Sequence, residues 1–150
     1  MGKLYIAYGS NLNLAQMAVR CPSAKIYAKG ILNNWELIFR GTRANSHATI
    51  RRKKGSVIPV LVWDIQSHDE NCLDLYEGYP IYYFKQNVMV DIKGKKKKAM
   101  VYIMNKHQLP GQPSPSYIHA IRQGYLDNSF DIRYLDNFLA KNTLECSYKI

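Results

Sequence analysis

Apolar and β-branched residues gather in short runs across the first two-thirds of the chain, at 3–8, 25–32, 35–39, 48–52, 57–65, 82–92 and 99–104. Clusters of turn-forming or charged residues separate them, and few helical patterns intervene, so most neighbouring runs must be joined by hairpins. A sheet built that way hides its edges best by closing on itself, and the expected fold class is α+β with the sheet closed as a small barrel. The helices fill the gaps. One follows the first run and stops before Pro22, and a second opens at Ser67, where Ser67 and Glu70 have the spacing of a capping box, and ends at Gly78 and Pro80. A proline-rich loop, 106–114, leads to Ser114-Pro115, an N-cap with proline at the first helical position. Beyond it Tyr117, Ile118, Ile121 and Tyr125 recur at helical spacing, as a core-facing stripe or as one wall of a cavity. A last helix runs through Ile132, Leu135, Phe138 and Leu139.

With 150 residues, 47% of them hydrophobic, the chain is long enough for one compact domain, and residues 1–150 are expected to form a single unit. No run of about 18 apolar residues and no basic start leading into an apolar stretch is present, so the expectation is a soluble, cytoplasmic protein without a membrane partner. Cys21, Cys72 and Cys146 are odd in number and widely spaced, which fits reduced, structural thiols. The net charge of +10 raises the question of nucleic acid. Its two dense clusters, Arg51-Arg52-Lys53-Lys54-Gly55 and Lys95-Lys96-Lys97-Lys98, both fall between strand-like runs and are expected at or beside solvated hairpin turns. No helix-turn-helix, zinc-finger or RNP-like pattern accompanies them, and no specific nucleic-acid partner is expected.

Two segments carry chemistry. Leu4-Tyr5-Ile6-Ala7 runs directly into Tyr8-Gly9-Ser10-Asn11-Leu12, and a helical pattern follows. Small and turn-forming residues between strand and helix leave successive backbone N–H groups to converge on an anion such as a carboxylate. The same residues also suit an ordinary strand-to-helix turn, with Gly9 for backbone freedom and Asn11 or Asn13 as N-cap. The second segment is Tyr76-Glu77-Gly78-Tyr79-Pro80, followed by Tyr82-Tyr83. Glu77 falls at a helix end, near unpaired carbonyls and between two tyrosines able to exclude water, and both influences push a carboxyl pKa upward. A carboxylate so placed serves as a general base near neutral pH; the plainer alternative is an idle glutamate at a helix end.

Taken together, the Tyr8–Leu12 loop, the Tyr76–Pro80 segment and Pro113-Ser114-Pro115-Ser116-Tyr117 with Ile121 and Gly124 resemble the γ-glutamylcyclotransferase-like family. The resemblance spans most of the chain. It implies a small mixed β-barrel flanked by α-helices, with the loop and the glutamate facing one cavity, and a γ-glutamyl small molecule as substrate. It implies a reaction in which the substrate's α-amino nitrogen attacks its own γ-carbonyl, giving 5-oxoproline and an amine. By the same resemblance Glu77 is the catalytic acid/base, Tyr8, Gly9, Ser10, Asn11 and Leu12 form the substrate-binding loop, and Tyr83, or its neighbour Tyr82, lines the site.

These roles are chemically sensible, because an ammonium must lose its proton before it can attack and ring closure needs only that one molecule be held folded. The loop amides suit either the substrate's α-carboxylate or the developing oxyanion. No metal or organic cofactor is expected, since His47, His68, His107 and His119 lack metal-ligand spacing. Two other readings remain: a binder of a γ-glutamyl or acidic small molecule that does not turn it over, and a basic nucleic-acid-associated protein. The leaving amine, whether a free amino acid, a lysine side chain or an antibiotic intermediate, is not fixed by the sequence.

Overall fold

In the computed structural model, which describes residues 2–106 and 108–148, strand β1 (Lys3–Ala7) leads through a single 3-10 turn (Ser10–Leu12) into helix α1 (Leu14–Arg20). Two long strands follow, β2 (Lys25–Thr42) and β3 (Asn45–Ile65), then α2 (Ser67–Glu77), the hairpin β4 (Tyr83–Ile92) and β5 (Lys95–Met104), and the closing helices α3 (Pro115–Asp127) and α4 (Ile132–Tyr148). The strands close into a barrel in the order β1-β3-β2-β4-β5. Strand β1 is antiparallel to β3 and parallel to β5, so the barrel is mixed, as expected. Its interior is filled by Ile6, Leu32, Phe39, Ile58, Val60, Val62 and Val101, all fully buried.

The seven strand-like runs are five strands. Residues 25–32 and 35–39 belong to one strand, β2, and 48–52 and 57–65 to another, β3. A register shift between Asn33 and Trp35 absorbs the polar pair that separates the first two runs, with Asn34 in the left-handed region at φ 66° and its side-chain oxygen accepting from Gly55 N at 3.0 Å. The basic run Arg51–Gly55 is therefore not beside a hairpin turn. It lies inside β3, opposite the bulge, and its charges mark exposure, with the Arg52 guanidinium 4.3 Å from the centre of the Trp35 ring. The actual turn of this hairpin lies between Thr42 and Asn45. Lys95–Lys98 do follow a turn, and in β5 these four exposed lysines give way to Ala99–Met104, buried throughout.

Helix α2 begins at Ser67, but its cap sits one residue earlier than the Ser67/Glu70 spacing suggests. The Gln66 side chain and Asp69 form the capping box, and Gln66 N donates to Asp69 Oδ2 at 2.9 Å. Asp69 is buried and also accepts from Ser23 Oγ, whereas Glu70 turns outward to Lys3 and Lys85. The Ser114 cap is as expected, its hydroxyl accepting from Tyr117 N. The loop before it is stitched to the β2–β3 tip by Gly41 N to Leu109 O, Gln112 N to Arg43 O and Ser46 N to Gln112 O. No helix among the described residues is long and apolar enough to cross a membrane.

Candidate active site

The chain direction of the strands collects the chemistry at one end of the barrel. The end of β1, the end of α2, the start of β4, the end of β5 and the tip of the β2–β3 hairpin surround a cavity of about 560 Å³. Tyr8, Gly9, Ser10, Asn11, Glu77 and Tyr83 all line it.

Helix α3 fixes the loop after β1 from outside. The α3 residue Gly124 lies against it so closely that a Cβ there would stand 2.6 Å from Leu12 Cβ and 2.8 Å from Asn13 N. Asn13 caps α1 by accepting from Gln16 N and donates its Nδ2 to Ala120 O; Asn128 Nδ2 reaches Leu12 O at 2.9 Å. Within the loop, Leu12 N and Asn13 N are taken by Gly9 O and Ser10 O, which leaves the amides of Ser10 and Asn11 without a partner among the described residues. Gly9 lets the loop lie close to β3, since a Cβ there would stand 3.3 Å from Ala48 Cβ. The Asn11 side chain is committed to the fold: its Nδ2 donates to Tyr5 Oη at 2.8 Å, and its Oδ1 accepts from Arg20. Leu12 does not line the cavity. Its side chain is fully buried under α3 and holds the loop from below.

Glu77 is the last residue of α2. Gly78 ends the helix in the left-handed region at φ 71°, and the space its missing side chain leaves is filled by Tyr82, whose Cδ2 would lie 2.5 Å from a Cβ. The helix is held to the barrel by Lys85, whose ammonium stands 2.6 Å from Glu70 Oε2 and 2.9 Å from Asp74 Oδ1. Burial pushes the Glu77 carboxyl up to about 7, and the nearby positive charge of Arg20 opposes the rise. The raised pKa and its origin in burial are as the sequence suggests, but of the two flanking tyrosines only Tyr76 lines the cavity. Tyr76 and Tyr79, its sequence neighbours, are 45% and 40% exposed, and Tyr79 is not in the cavity wall. Most of the residues that surround Glu77 come from other elements.

Several of those residues are tyrosines. Tyr8 Oη donates to Tyr102 O at 2.7 Å and Tyr83 Oη to Ala48 O at 2.9 Å, so both hydroxyls are used within the fold. Tyr83 is buried and Tyr82 is 60% exposed; both line the cavity. Tyr117 and Tyr125, left open between core and cavity by their helical spacing, divide. Tyr125 is fully buried in the core, while Tyr117 faces the cavity and accepts from Ala48 N at 3.0 Å, leaving its own O–H free to donate. Burial holds the hydroxyls of Tyr5, Tyr8, Tyr83 and Tyr117 well above the usual tyrosine range, so all stay protonated.

The hairpin tip adds Arg40, Thr42, Asn45 and His47, which sequence spacing gave no means of finding. His47 packs edge-on against Tyr117 at 4.9 Å between ring centroids, and burial lowers its pKa. Among the described residues, no group of three His, Cys, Asp or Glu side chains is placed to hold a metal ion, and His107 lies outside the described residues.

Known proteins similar to this chain are gamma-glutamylcyclotransferases. A gamma-glutamylcyclotransferase from Homo sapiens is 28% identical over 149 residues, covering 91% of this chain and 77% of its own length. One from Bos taurus is 30% identical over 141 residues, covering 87% of this chain and 74% of its own. A solved structure of a gamma-glutamyl cyclotransferase superposes with a TM-score of 0.80 at 29% identity, covering 91% of this chain and 85% of that one. Residues 5–120 match the sequence profile of a single family, and the chain belongs to it: gamma-glutamyl cyclotransferase, AIG2-like.

Proposed function

We propose that this protein cleaves a γ-glutamyl amide by cyclisation, releasing 5-oxoproline and an amine, with Glu77 as general acid/base. The observation that carries the reading is a carboxyl group at the end of α2, pushed up to about 7 in a cavity also lined by Ser10 and Asn11, whose amides have no partner among the described residues. A base of that pKa is half ionised near neutrality and can both take and return a proton.

The steps follow from the atoms. Glu77 takes a proton from the substrate's α-ammonium, and the freed nitrogen attacks the γ-carbonyl carbon. The bond from that carbon to the leaving nitrogen breaks as Glu77 returns the first proton to it. Glu77 then takes the second proton from the ring nitrogen and passes it to the freed amine, so 5-oxoproline with its carboxylate and an ammonium leave, the Glu77 carboxylate is regenerated, and atoms and charge balance. Nucleophile and electrophile belong to one molecule, and the enzyme's main task is to hold it folded. The Ser10 and Asn11 amides serve the α-carboxylate or the developing oxyanion, and the free O–H of Tyr117 is a further donor. Tyr8 and Tyr83, whose hydroxyls are already used, act as walls that exclude water. Gly9 gives the loop its close approach, and Leu12 anchors it from beneath.

The free thiols of Cys21, Cys72 and Cys146 fit a reducing, cytoplasmic setting, and one barrel with its helices carries the activity as a single unit. The test is 5-oxoproline release from a panel of γ-glutamyl amino acids, γ-glutamyl-ε-lysine and γ-glutamyl amines, with Glu77→Gln beside the wild type. Turnover that falls by at least about a hundredfold in the variant is expected. No turnover of any panel member, or a fully active Glu77→Gln, would remove the reading.

A further inference from the structure

Arg20, the last residue of α1, carries a guanidinium that touches both halves of the site. Its Nη1 donates to Asn11 Oδ1 in the loop, its Nη2 donates to Gln16 Oε1 at 2.8 Å, and its plane lies 3.7 Å from the centre of the Tyr76 ring, next to Glu77 in sequence. Tyr76 in turn places its hydroxyl 3.2 Å from Ser10 Oγ. Loop and helix end are thus joined twice, once by the tyrosine hydroxyl and once by the arginine. Asn11 is pinned on its other sides by Tyr5 and by Trp63 Nε1, which donates to Asn11 O at 3.2 Å, so a force on Arg20 is passed to a rigid loop.

We propose that Arg20 is a positioning residue for the reaction: by clamping the Tyr76 ring to Asn11 it holds the substrate loop and the Glu77-bearing end of α2 in register. The proposal rests on the reading of Glu77 as acid/base. An arginine suits the task because its planar fork can donate to Asn11 and Gln16 at once while stacking on an aromatic face, which a lysine cannot do.

The clamp also carries charge. Glu77 is faced by Tyr5 from β1, Tyr8 from the loop, Tyr83 from β4 and Tyr117 from α3, all held protonated by burial. His47 from β3 is pushed toward its neutral form, and Arg40 from β2 is paired with Glu145 at 2.7 Å. Arg20 is accordingly the charged neighbour that favours the ionised carboxylate. A purely structural clamp would alter stability and turnover. A clamp that also sets the base must move the pH dependence.

The experiment follows kcat and KM against pH for the wild type, Arg20→Met and Arg20→Lys, with a carbon-detected NMR titration of Glu77 in each. In Arg20→Met the acid limb of kcat/KM and the NMR midpoint should both move to higher pH by about half to one unit, and kcat should fall by about tenfold. Arg20→Lys should restore the limb, since charge remains, but not kcat, since the fork and stacking are lost. Arg20→Gln replaces Arg20→Met if the latter fails to fold. A charge-removing variant with unmoved limb and unmoved Glu77 midpoint overturns the proposal. If the wild type releases no 5-oxoproline, the reaction reading fails, and the NMR midpoint alone still decides whether Arg20 governs Glu77.

Discussion

Glu77, the proposed acid/base, opposes the fold that holds it. Its pKa stands at about 7 against an ordinary value of 4.5, so the folded state favours the protonated form. The stability this gives is fully present below pH 4.5 and is lost as pH rises through about 7, where the carboxylate must ionise in the cavity. The shift corresponds to a loss on the order of 3 kcal/mol across that window. Glu77→Gln removes the titration while keeping the shape. Thermal melts should therefore find the variant more stable than the wild type at pH 8 and much closer to it at pH 5; equal differences at the two pH values would show that the carboxyl is not held out of water. Glu70 titrates in the other direction, since Lys85 and Lys3 hold its pKa below the ordinary range, and its contribution is lost only as pH falls further.

At the scale of elements, the site depends on helices that contribute few of its lining residues. Helix α3 presents Gly124 to the loop, where a Cβ would meet Leu12 and the Asn13 backbone nitrogen well inside van der Waals contact. Gly124→Ala must push α3 away from the loop or the loop into the cavity, and overpacking of this kind costs about 1–3 kcal/mol. The expected outcome is a lowered Tm together with a raised KM, because the displaced atoms belong to the proposed substrate loop. A lower Tm with unchanged kinetics would mean that α3 supports only the core. Helix α2 depends similarly on Lys85, which bridges Glu70 and Asp74 and lies 4.2 Å from the centre of the Tyr79 ring. Its three contacts are the tether that keeps the Glu77 end of the helix over the barrel mouth.

For the whole molecule, the barrel separates charge from chemistry. Lys95–Lys98 open β5, and Tyr102 and Met104 toward its other end line the cavity, so the lysines stand roughly 13–30 Å along the strand from these lining residues. Salt screens charges beyond about 8 Å at physiological ionic strength, and replacing all four lysines with glutamine should change kcat/KM by less than about twofold at 0.15 M salt. A larger loss would mean that the basic end steers the substrate. The same separation explains what could be read from the chain alone. Strand runs, the Ser114-Pro115 cap, Gly78 as helix terminator and the Tyr8–Leu12 and Glu77 segments depend on residues close together in sequence, and each was legible there. The Arg51–Gly55 run misled because a bulge can absorb polar residues within a continuous strand, and local composition cannot tell an exposed strand from a turn. The residues from other elements that surround Glu77, the choice of Tyr117 over Tyr125 for the cavity, the committed Asn11 side chain and the walls supplied by Arg40 and His47 belong to contacts between distant segments. Sequence determined which chemical groups are present and the local elements that carry them; only barrel closure decided which of them face one another and which face water, because burial and proximity are properties of the packed chain.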